Sequence, residues 1–237
     1  CEFAEAALAE ENRLQEKDLA GVRAFVTAGG TREAIDPVRF IGNHSSGKQG
    51  AAIARALVER GADVTVFAAN IEPGVLPGGI TVVNTPSAIE MHEAVQGAAA
   101  NFDIGFFVAA VADFRPKQSW DQKVKKTSEN EDGWSLQLVR NPDILRETAR
   151  RYPDLLCVGF AAETGEEAQV LEFGRAKAGR KGARFIAINQ VGNGHGFGTE
   201  NNRVTVMDGA GTKVLSVAGT KLQVARELVE LVAAQLV

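Results

Sequence analysis

The chain has 237 residues, 45% hydrophobic and 24% charged, with 30 acidic against 26 basic side chains and a net charge of −4. This length allows one or two domains and a full core without disulfides; the charge balance argues against binding to nucleic acid or an anionic membrane, and no apolar run approaches the ~20 residues of a membrane helix. The acidic, Ala/Glu-rich start is neither a signal nor a transit peptide, and two cysteines, Cys1 and Cys157, make no disulfide framework, so a cytoplasmic protein is expected.

Residues 2–20, rich in Ala, Glu, Leu and Lys, read as a helical linker or tail ahead of a single domain over 21–237. From Val22 onward, short β-branched runs alternate with helical stretches. Strands are expected at 22–27, 63–67 and 80–83. Helices are expected at 46–60, with Gly50, Ile53 and Leu57 on one side and Gly61 as the stop, and at 87–100. The nearly continuous apolar run 104–111 marks a strand covered on both faces. A polar, Lys-rich stretch fills 115–133, 134–139 alternates like a half-exposed strand, and Asn141-Pro142 sets the start of a helix over 143–151. Residues 155–160 and 185–189 read as strands around a helix at 166–179. Asp208-Gly209, between 203–207 and 213–217, signals a hairpin. Residues 220–236 close the chain as an amphipathic helix with Leu222, Ala225, Val229, Val232 and Leu236 inward. Strands alternating with crossover helices predict an α/β fold: a Rossmann-like, doubly wound, mostly parallel sheet with helices on both faces and a C-terminal antiparallel hairpin extension.

In such a sheet, ligands sit at the carboxyl ends of the strands, and four segments fall there. The first, Thr27-Ala28-Gly29-Gly30-Thr31-Arg32-Glu33, lets backbone N–H groups approach a phosphate, or is a plain tight turn; it lacks the G-x-G-x-x-G spacing. The second, Arg39 to Gly50, nearly spells a P-loop over 42–48, but Gln49 stands where the Mg²⁺-binding hydroxyl belongs. Ser45, Ser46, Gly47 and the first N–H groups of the following helix still form a donor-rich anion pocket, against the plainer reading of a serine-capped helix. The third, Ala109-Ala110-Val111-Ala112-Asp113-Phe114, ends a buried strand on an acid, which needs a metal, a ribose or a hydrogen-bond donor. The lysines after it, Lys117, Lys123, Lys125 and Lys126, read as a lid that brings positive charge onto a polyphosphate, or as a solvated loop. The fourth joins Asn141-Pro142-Asp143-Ile144 and Phe160-Ala161-Ala162-Glu163-Thr164 to a helix whose Lys177 and Lys181, four apart, share one face. His44, His92 and His195 are scattered, and no Cys/His cluster has zinc spacing.

Together these segments resemble phosphopantothenoylcysteine synthetase, the ligase of coenzyme A biosynthesis that many bacteria carry behind a flavin-dependent decarboxylase. The resemblance runs from about Val22 to the C-terminus and rests on T-A-G-G-T-R-E (27–33), D-P-V-R-F-I-G-N-H-S-S-G-K (36–48), A-A-V-A-D-F (109–114), K-V-K-K (123–126), N-P-D-I (141–144), V-G-F-A-A-E-T (158–164) and the Lys177/Lys181 pair. It implies a CTP-dependent joining of 4′-phosphopantothenate to L-cysteine through an acyl-cytidylate. Asn43 would hold that intermediate, Lys123 the phosphates, and Asp113 the nucleotide or its Mg²⁺. Arg39 would bind the phosphate of phosphopantothenate, beside a substrate site shaped by Ala109 and Ala110. Pro142, Asp143, Ile144, Leu145, Phe160, Lys177 and Lys181 match CTP-binding positions, the lysine pair as a triphosphate clamp. The resemblance also implies a homodimer, with the hairpin at 203–217 in its interface, and an FMN-dependent decarboxylase half outside this sequence. A nicotinamide-dependent reductase is the competing enzyme class. Against it stand the missing ribose acid at 67–70 and the lone Tyr152, which has Leu156 rather than lysine four residues on. A nucleotide-binding module without catalysis is the third reading.

Overall fold

A computed structural model describes residues 17–125, 133–163, 179–190 and 201–236, together with Glu172 and Arg175. The expected helix 166–179, including Lys177, falls largely outside the described residues, as do Lys126, the stretch 2–16 and His195.

One eight-stranded sheet organises the chain, in the order β12-β11-β10-β9-β6-β1-β4-β5. Its strands are β1 (Arg23–Gly29), β4 (Asp63–Ala69), β5 (Thr81–Asn84), β6 (Ile104–Phe107), β9 (Leu156–Glu163), β10 (Phe185–Gln190), β11 (Asn201–Asp208) and β12 (Lys213–Thr220). All neighbours from β5 to β10 run parallel. β11 and β12 add on antiparallel, as the hairpin signal at Asp208-Gly209 predicted. Asp208 Oδ1 closes that turn by accepting from the N–H groups of Ala210 (3.0 Å) and Thr212 (2.8 Å).

Successive strand residues point to opposite faces, and both faces are covered. Val26, Val64 and Val158 pack under α1 (Lys48–Glu59) and α4 (Lys221–Ala233) through Ile53, Leu57, Val224 and Leu228. Phe25, Phe67 and Ile186 pack under α2 (Ala88–Ala98) and α3 (Ile144–Arg151) through Met91, Val95, Leu145 and Ala149. Phe25 meets Phe67, Phe102 and Phe107 edge-on at 5.3–5.6 Å, the arrangement that ring quadrupoles favour. Gly50 lets α1 lie on β1, since a Cβ there would stand 2.5 Å from the Cβ of Ala28.

Several expectations need correction. The regular strand in the run 104–111 ends at Phe107, where Thr27 Oγ1 accepts from the N–H groups of both Val108 (3.1 Å) and Ala109 (3.2 Å). Beyond it the chain still bonds to β1, Val108 N–H donating to the Thr27 carbonyl (3.2 Å) and Ala110 N–H to the Gly29 carbonyl (2.8 Å), with an isolated bridge from Ala110 to Gly30. The strand expected at 134–139 is β8 (Leu138–Arg140), paired with β7 (Phe114–Pro116) away from the main sheet. A second small ladder joins β2 (Arg32–Ala34) to β3 (Phe40–Gly42). α4 stops at Ala233, so Leu236 is exposed rather than inward, and Leu222 is only half-buried.

Candidate active site

The chain leaves β1 toward β4 and β5, then returns to place β6 on the other side of β1. Strand order reverses there, and loops at the carboxyl ends part to leave a crevice. A cavity of about 590 Å³ fills it. Its walls bring together Asn43, Ser45, Ser46, Gly47, Ala109, Ala110, Asp113, Pro142, Asp143, Ile144, Leu145, Phe160 and Lys181.

Each wall has a local cause. Gly29 (φ 88°) and Gly30 are glycines because their Cβ atoms would stand 2.0 Å from the Ala69 carbonyl oxygen and 2.6 Å from the Asn43 carbonyl oxygen. The tight packing of this turn therefore accounts for the pair. Gly47, at φ 73°, is the N-cap of α1, and no side chain caps that helix. The serine cap of the plainer reading is absent; Ser45 Oγ instead accepts from the Gly47 N–H at 3.4 Å. The start of α1 thus opens on the cavity with its positive dipole end. Asn43 Nδ2 donates to the Val111 carbonyl (3.1 Å), tying the α1 loop to the segment after β6. Asp113 is exposed, three residues beyond the last backbone bonds to β1 at Ala110, so the cost of a buried acid does not arise.

Asp143 caps α3, its Oδ1 accepting from the Arg146 N–H at 3.2 Å, while its Oδ2 lies 2.5 Å from Lys181 Nζ. Lys181 therefore faces the cavity as one half of an ion pair. Arg39 and Lys123 do not line the cavity. Asp36, 4% exposed, accepts from the N–H groups of Val38 (2.8 Å), Arg39 (2.9 Å) and Val124 (3.2 Å) and from Arg39 Nη1 (2.8 Å). Arg39 Nη1 also donates to the Val124 carbonyl at 3.2 Å. This knot fixes the segment that carries Lys123. Burial by itself raises the Asp36 carboxyl, but the three N–H groups and the Arg39 guanidinium together hold it below its ordinary value.

Four further polar residues, Gln49, Asn189, Asn202 and Lys221, line the same cavity and were not singled out as binding residues from the sequence. Gln49, noted only as the residue that spoils a P-loop, donates to the Lys221 carbonyl (3.2 Å) and accepts from Asn202 Nδ2 (2.9 Å). Asn189 Oδ1 is buried and has no hydrogen-bond partner among the described residues. Asn141 also does more than start a helix: Nδ2 donates to the Ala112 carbonyl (2.8 Å) and Oδ1 accepts from Arg115 (3.0 Å).

Residues 19–236 match the model of the DNA/pantothenate metabolism flavoprotein C-terminal domain. The chain belongs to that family. Among its relatives, the coenzyme A biosynthesis bifunctional protein CoaBC of Mycolicibacterium smegmatis is 43% identical over 224 residues, covering 92% of this chain and 54% of the relative. The chain thus spans about half the length of such relatives. The crystal structure of a CoaBC C-terminal domain superposes with a TM-score of 0.76 at 34% identity, covering 93% of this chain and 98% of that one. A Cab2 variant in complex with phosphopantothenate-cysteine shares the fold, with a TM-score of 0.68 at 16% identity, covering 96% and 93% of the two chains. The family match falls on the stretch that carried the sequence resemblance.

The site as built can bind a polyanion against uncapped helical amides. It offers one carboxylate, Asp113, that no side chain occupies among the described residues. No group of three or more His, Cys, Asp or Glu side chains among the described residues would hold a metal by itself. No described helix is long and apolar enough to cross a membrane.

Proposed function

We propose that the chain is a CTP-dependent phosphopantothenate–cysteine ligase acting in coenzyme A biosynthesis, the C-terminal part of a protein whose other half is an FMN-dependent decarboxylase. One observation carries this reading: Asn43, Asp113 and Lys181, far apart in sequence, line a single cavity at the switch in strand order. The CoaBC names of its relatives and the ligand of the Cab2 structure support the choice of substrates.

In the first step, a carboxylate oxygen of 4′-phosphopantothenate attacks the α-phosphorus of CTP. The bond to the β-phosphate oxygen breaks and pyrophosphate leaves. In the second, the cysteine amine attacks the acyl carbon, the acyl–phosphate C–O bond breaks, CMP leaves and the nitrogen gives up a proton. A carboxylate approaching a polyanion needs donors and cations in place beforehand. The Ser45–Gly47 turn and the start of α1 provide the donors, and Lys123, outside the cavity wall but exposed on the segment tied down by Asp36 and Arg39, is the cation assigned to the phosphates. Asn43 holds the acyl-cytidylate, and the small Ala109 and Ala110 leave room for the acid beside it, so both reactants are held in line. Arg39 keeps a partly exposed guanidinium for the substrate phosphate. Asp113 and Asp143 are the only carboxylates lining the cavity among the described residues, and Asp143 is engaged by Lys181. Asp113 is therefore the residue that would hold Mg²⁺, a cation that keeps several waters, takes few protein oxygens and, when bound, neutralises triphosphate charge.

The reading includes a homodimer. Exposed apolar side chains gather on the two small ladders, at Phe40 (52%), Phe114 (44%) and Leu138 (45%), and in the turn between β2 and β3 at Val38 (60%), whereas the hairpin offers Val214 (41%). This distribution favours the ladders over the hairpin as the interface. Light scattering on Phe40→Ser should then report a shift toward monomer, and an unchanged dimer would return the interface to the hairpin.

The activity is tested by incubating the chain with CTP, Mg²⁺, phosphopantothenate and cysteine. Pyrophosphate release should require phosphopantothenate, and amide formation should require cysteine. Release no greater than background rejects the reading.

A further inference from the structure

Four polar side chains line one wall of the cavity: Gln49 in the first turn of α1, Asn189 near the end of β10, Asn202 at the start of β11 and Lys221 at the start of α4. The topology gathers them. Asn189 stands opposite Val204 in the antiparallel register, and Asn202, two positions before Val204, shares its face, the one that α1 and α4 cover. Lys221 opens α4 directly after β12, whose Gly219 stands opposite Asn202. Gln49 joins the pieces by donating to the Lys221 carbonyl (3.2 Å) and accepting from Asn202 Nδ2 (2.9 Å), while Asn202 Oδ1 accepts from the Arg203 N–H (2.9 Å). Lys221 and Asn202 are 9% and 7% exposed, and Asn189 Oδ1 is buried with no hydrogen-bond partner among the described residues. The groups already assigned hold the nucleotide, its Mg²⁺ and the acid. None of them holds the amino acid.

We propose that this wall binds the amino-acid substrate, Lys221 taking its α-carboxylate and Asn189 Oδ1 an N–H of its amine. The inference rests on the ligase reading and deepens it. An amino acid that reacts through its amine keeps its carboxylate, so its site has to neutralise an anion that takes no part in the reaction and also present an acceptor to the nitrogen. The wall holds that combination. An ammonium carries three donors, so Lys221 serves a carboxylate beside the contact it makes within the protein. A bond between two charged groups is stronger than a neutral one, and the burial of Lys221 keeps water from competing for it. Asn189 Oδ1 carries the cost of a buried acceptor without a partner, and an incoming N–H removes that cost. A phosphate does not fit as well, because all its oxygens are acceptors and would leave Asn189 Oδ1 unmet. Gln49 and Asn43 stand at the two ends of one loop on the cavity, so an amine held on this wall lies on the side where the acyl-cytidylate is assigned.

The test measures amide formation by the unmodified chain, Lys221→Met and Asn189→Leu, with L-cysteine and with cysteamine, which has the same amine and thiol but no carboxylate. Met keeps an unbranched stem and Leu is close to Asn in shape, and should either variant fail to fold, the other decides. In Lys221→Met, kcat/KM for cysteine should fall by about tenfold or more, the value of a hydrogen bond to a charged group. In Asn189→Leu it should fall by about 2- to 10-fold, the value of a neutral one. KM for CTP and for phosphopantothenate should stay unchanged in both. The unmodified chain should favour cysteine over cysteamine. Lys221→Met should shrink that preference by about tenfold or more, whereas Asn189→Leu, which removes a contact to the amine that both acceptors carry, should preserve it. A raised KM for CTP with an unchanged KM for cysteine assigns the wall to the phosphates and overturns the inference. Equal use of cysteine and cysteamine by the unmodified chain overturns it too. Absence of pyrophosphate release from the unmodified chain defeats the ligase reading alone. Calorimetric titration of L-cysteine into the CMP-loaded chain then decides the inference, and identical titrations of the unmodified chain and Lys221→Met overturn it.

Discussion

The two ends of the sheet treat polar groups in opposite ways. At the amino end, charges are closed onto one another. Arg23 meets Asp103 through its backbone N–H (2.8 Å) and its guanidinium (3.1 Å), holding that carboxyl below the ordinary range. Arg60, 7% exposed, binds both Asp18 (2.8 Å) and Glu230 (2.9 Å), tying the start of the domain to α1 and α4. At the carboxyl end, the Asp143–Lys181 pair apart, groups are left open. Asn189 Oδ1 is buried without a partner, α1 starts without a side-chain cap, and the side chains of Asp113, His44 and Lys123 make no hydrogen bond or ion pair among the described residues. Closed polar groups serve stability. A buried open group such as Asn189 Oδ1 carries a cost that a ligand removes, while the exposed ones stand free to meet a ligand.

If that division holds, variants at the two ends should separate activity from stability. Lys123→Gln removes a cation that acts only on bound phosphates, so turnover should fall by about 10²–10³-fold, the scale of losing one electrostatic stabiliser, with an unchanged urea midpoint. Turnover within a few-fold of the unmodified chain would remove Lys123 from the mechanism. Arg60→Ala should do the reverse. Breaking a fully buried ion pair costs about 3–5 kcal/mol. Asp18 and Glu230 retain 31% and 43% side-chain exposure, so water takes up part of the loss. Urea unfolding should therefore show a loss of about 2–3 kcal/mol, with kcat at 25 °C unchanged. A matching fall in kcat would mean that the amino end communicates with the site and that the division fails.

The legible parts of the molecule are those with a period. The strands of the parallel sheet, α1, α2 and the hairpin all follow from apolar spacing and turn chemistry. The near-P-loop over 42–48 correctly pointed to a helix start on the cavity, although its cap residue is Gly47 and not a serine. What stayed hidden has no local signal. Each strand of the two small ladders is three residues long, too short for alternation to register, and one ladder flanks the knot at Asp36, whose bond to Val124 spans 88 positions. Asn202 and Lys221 reach the cavity because β11 pairs with β10 and α4 packs beside α1, a consequence of topology that spacing along the chain does not contain. The acid at 113 is legible in the sequence but its exposure is not, because the regular strand ends at Phe107 through bonds to Thr27 on the neighbouring strand.

Asp36 lies between the two regimes and sharpens the comparison. Its bonds are closed like those of the amino end, yet what it holds is the segment bearing Lys123. Asp36→Asn should loosen that segment and raise KM for CTP by about 2- to 10-fold, the value of one hydrogen bond. A pH signature should accompany it. The folded carboxyl lies below its ordinary 3.8, so its stabilising contribution is present above that pH and is lost as the pH falls through the folded value. Acid unfolding followed by fluorescence should therefore show the unmodified chain and Asp36→Asn converging below about pH 4. Curves that stay parallel would mean that Asp36 contributes nothing as a carboxylate.

Cys157 belongs to neither end and gives the smallest effect. It is 2% exposed within the α2–α3 face of the core, and burial pushes its thiol from an ordinary 9.0 up to about 12. Since the thiolate is the reactive form, iodoacetamide should reach Cys157 at pH 8 only through unfolded molecules, as measured in a Cys1→Ser background. Its labelling rate is then a gauge of global stability, and Arg60→Ala should speed it by about 30- to 150-fold, the equivalent of 2–3 kcal/mol. The same shift has an alkaline consequence. Above 9.0 the unfolded chain loses the thiol proton while the folded chain keeps it, so stability falls as the pH climbs toward about 12. Cys157→Ala should remove that decline and leave CTP turnover at neutral pH untouched, because the residue packs under the sheet and does not line the cavity. Labelling as fast as that of an exposed thiol, and equal in the Arg60→Ala variant, would show that this face of the core opens without global unfolding.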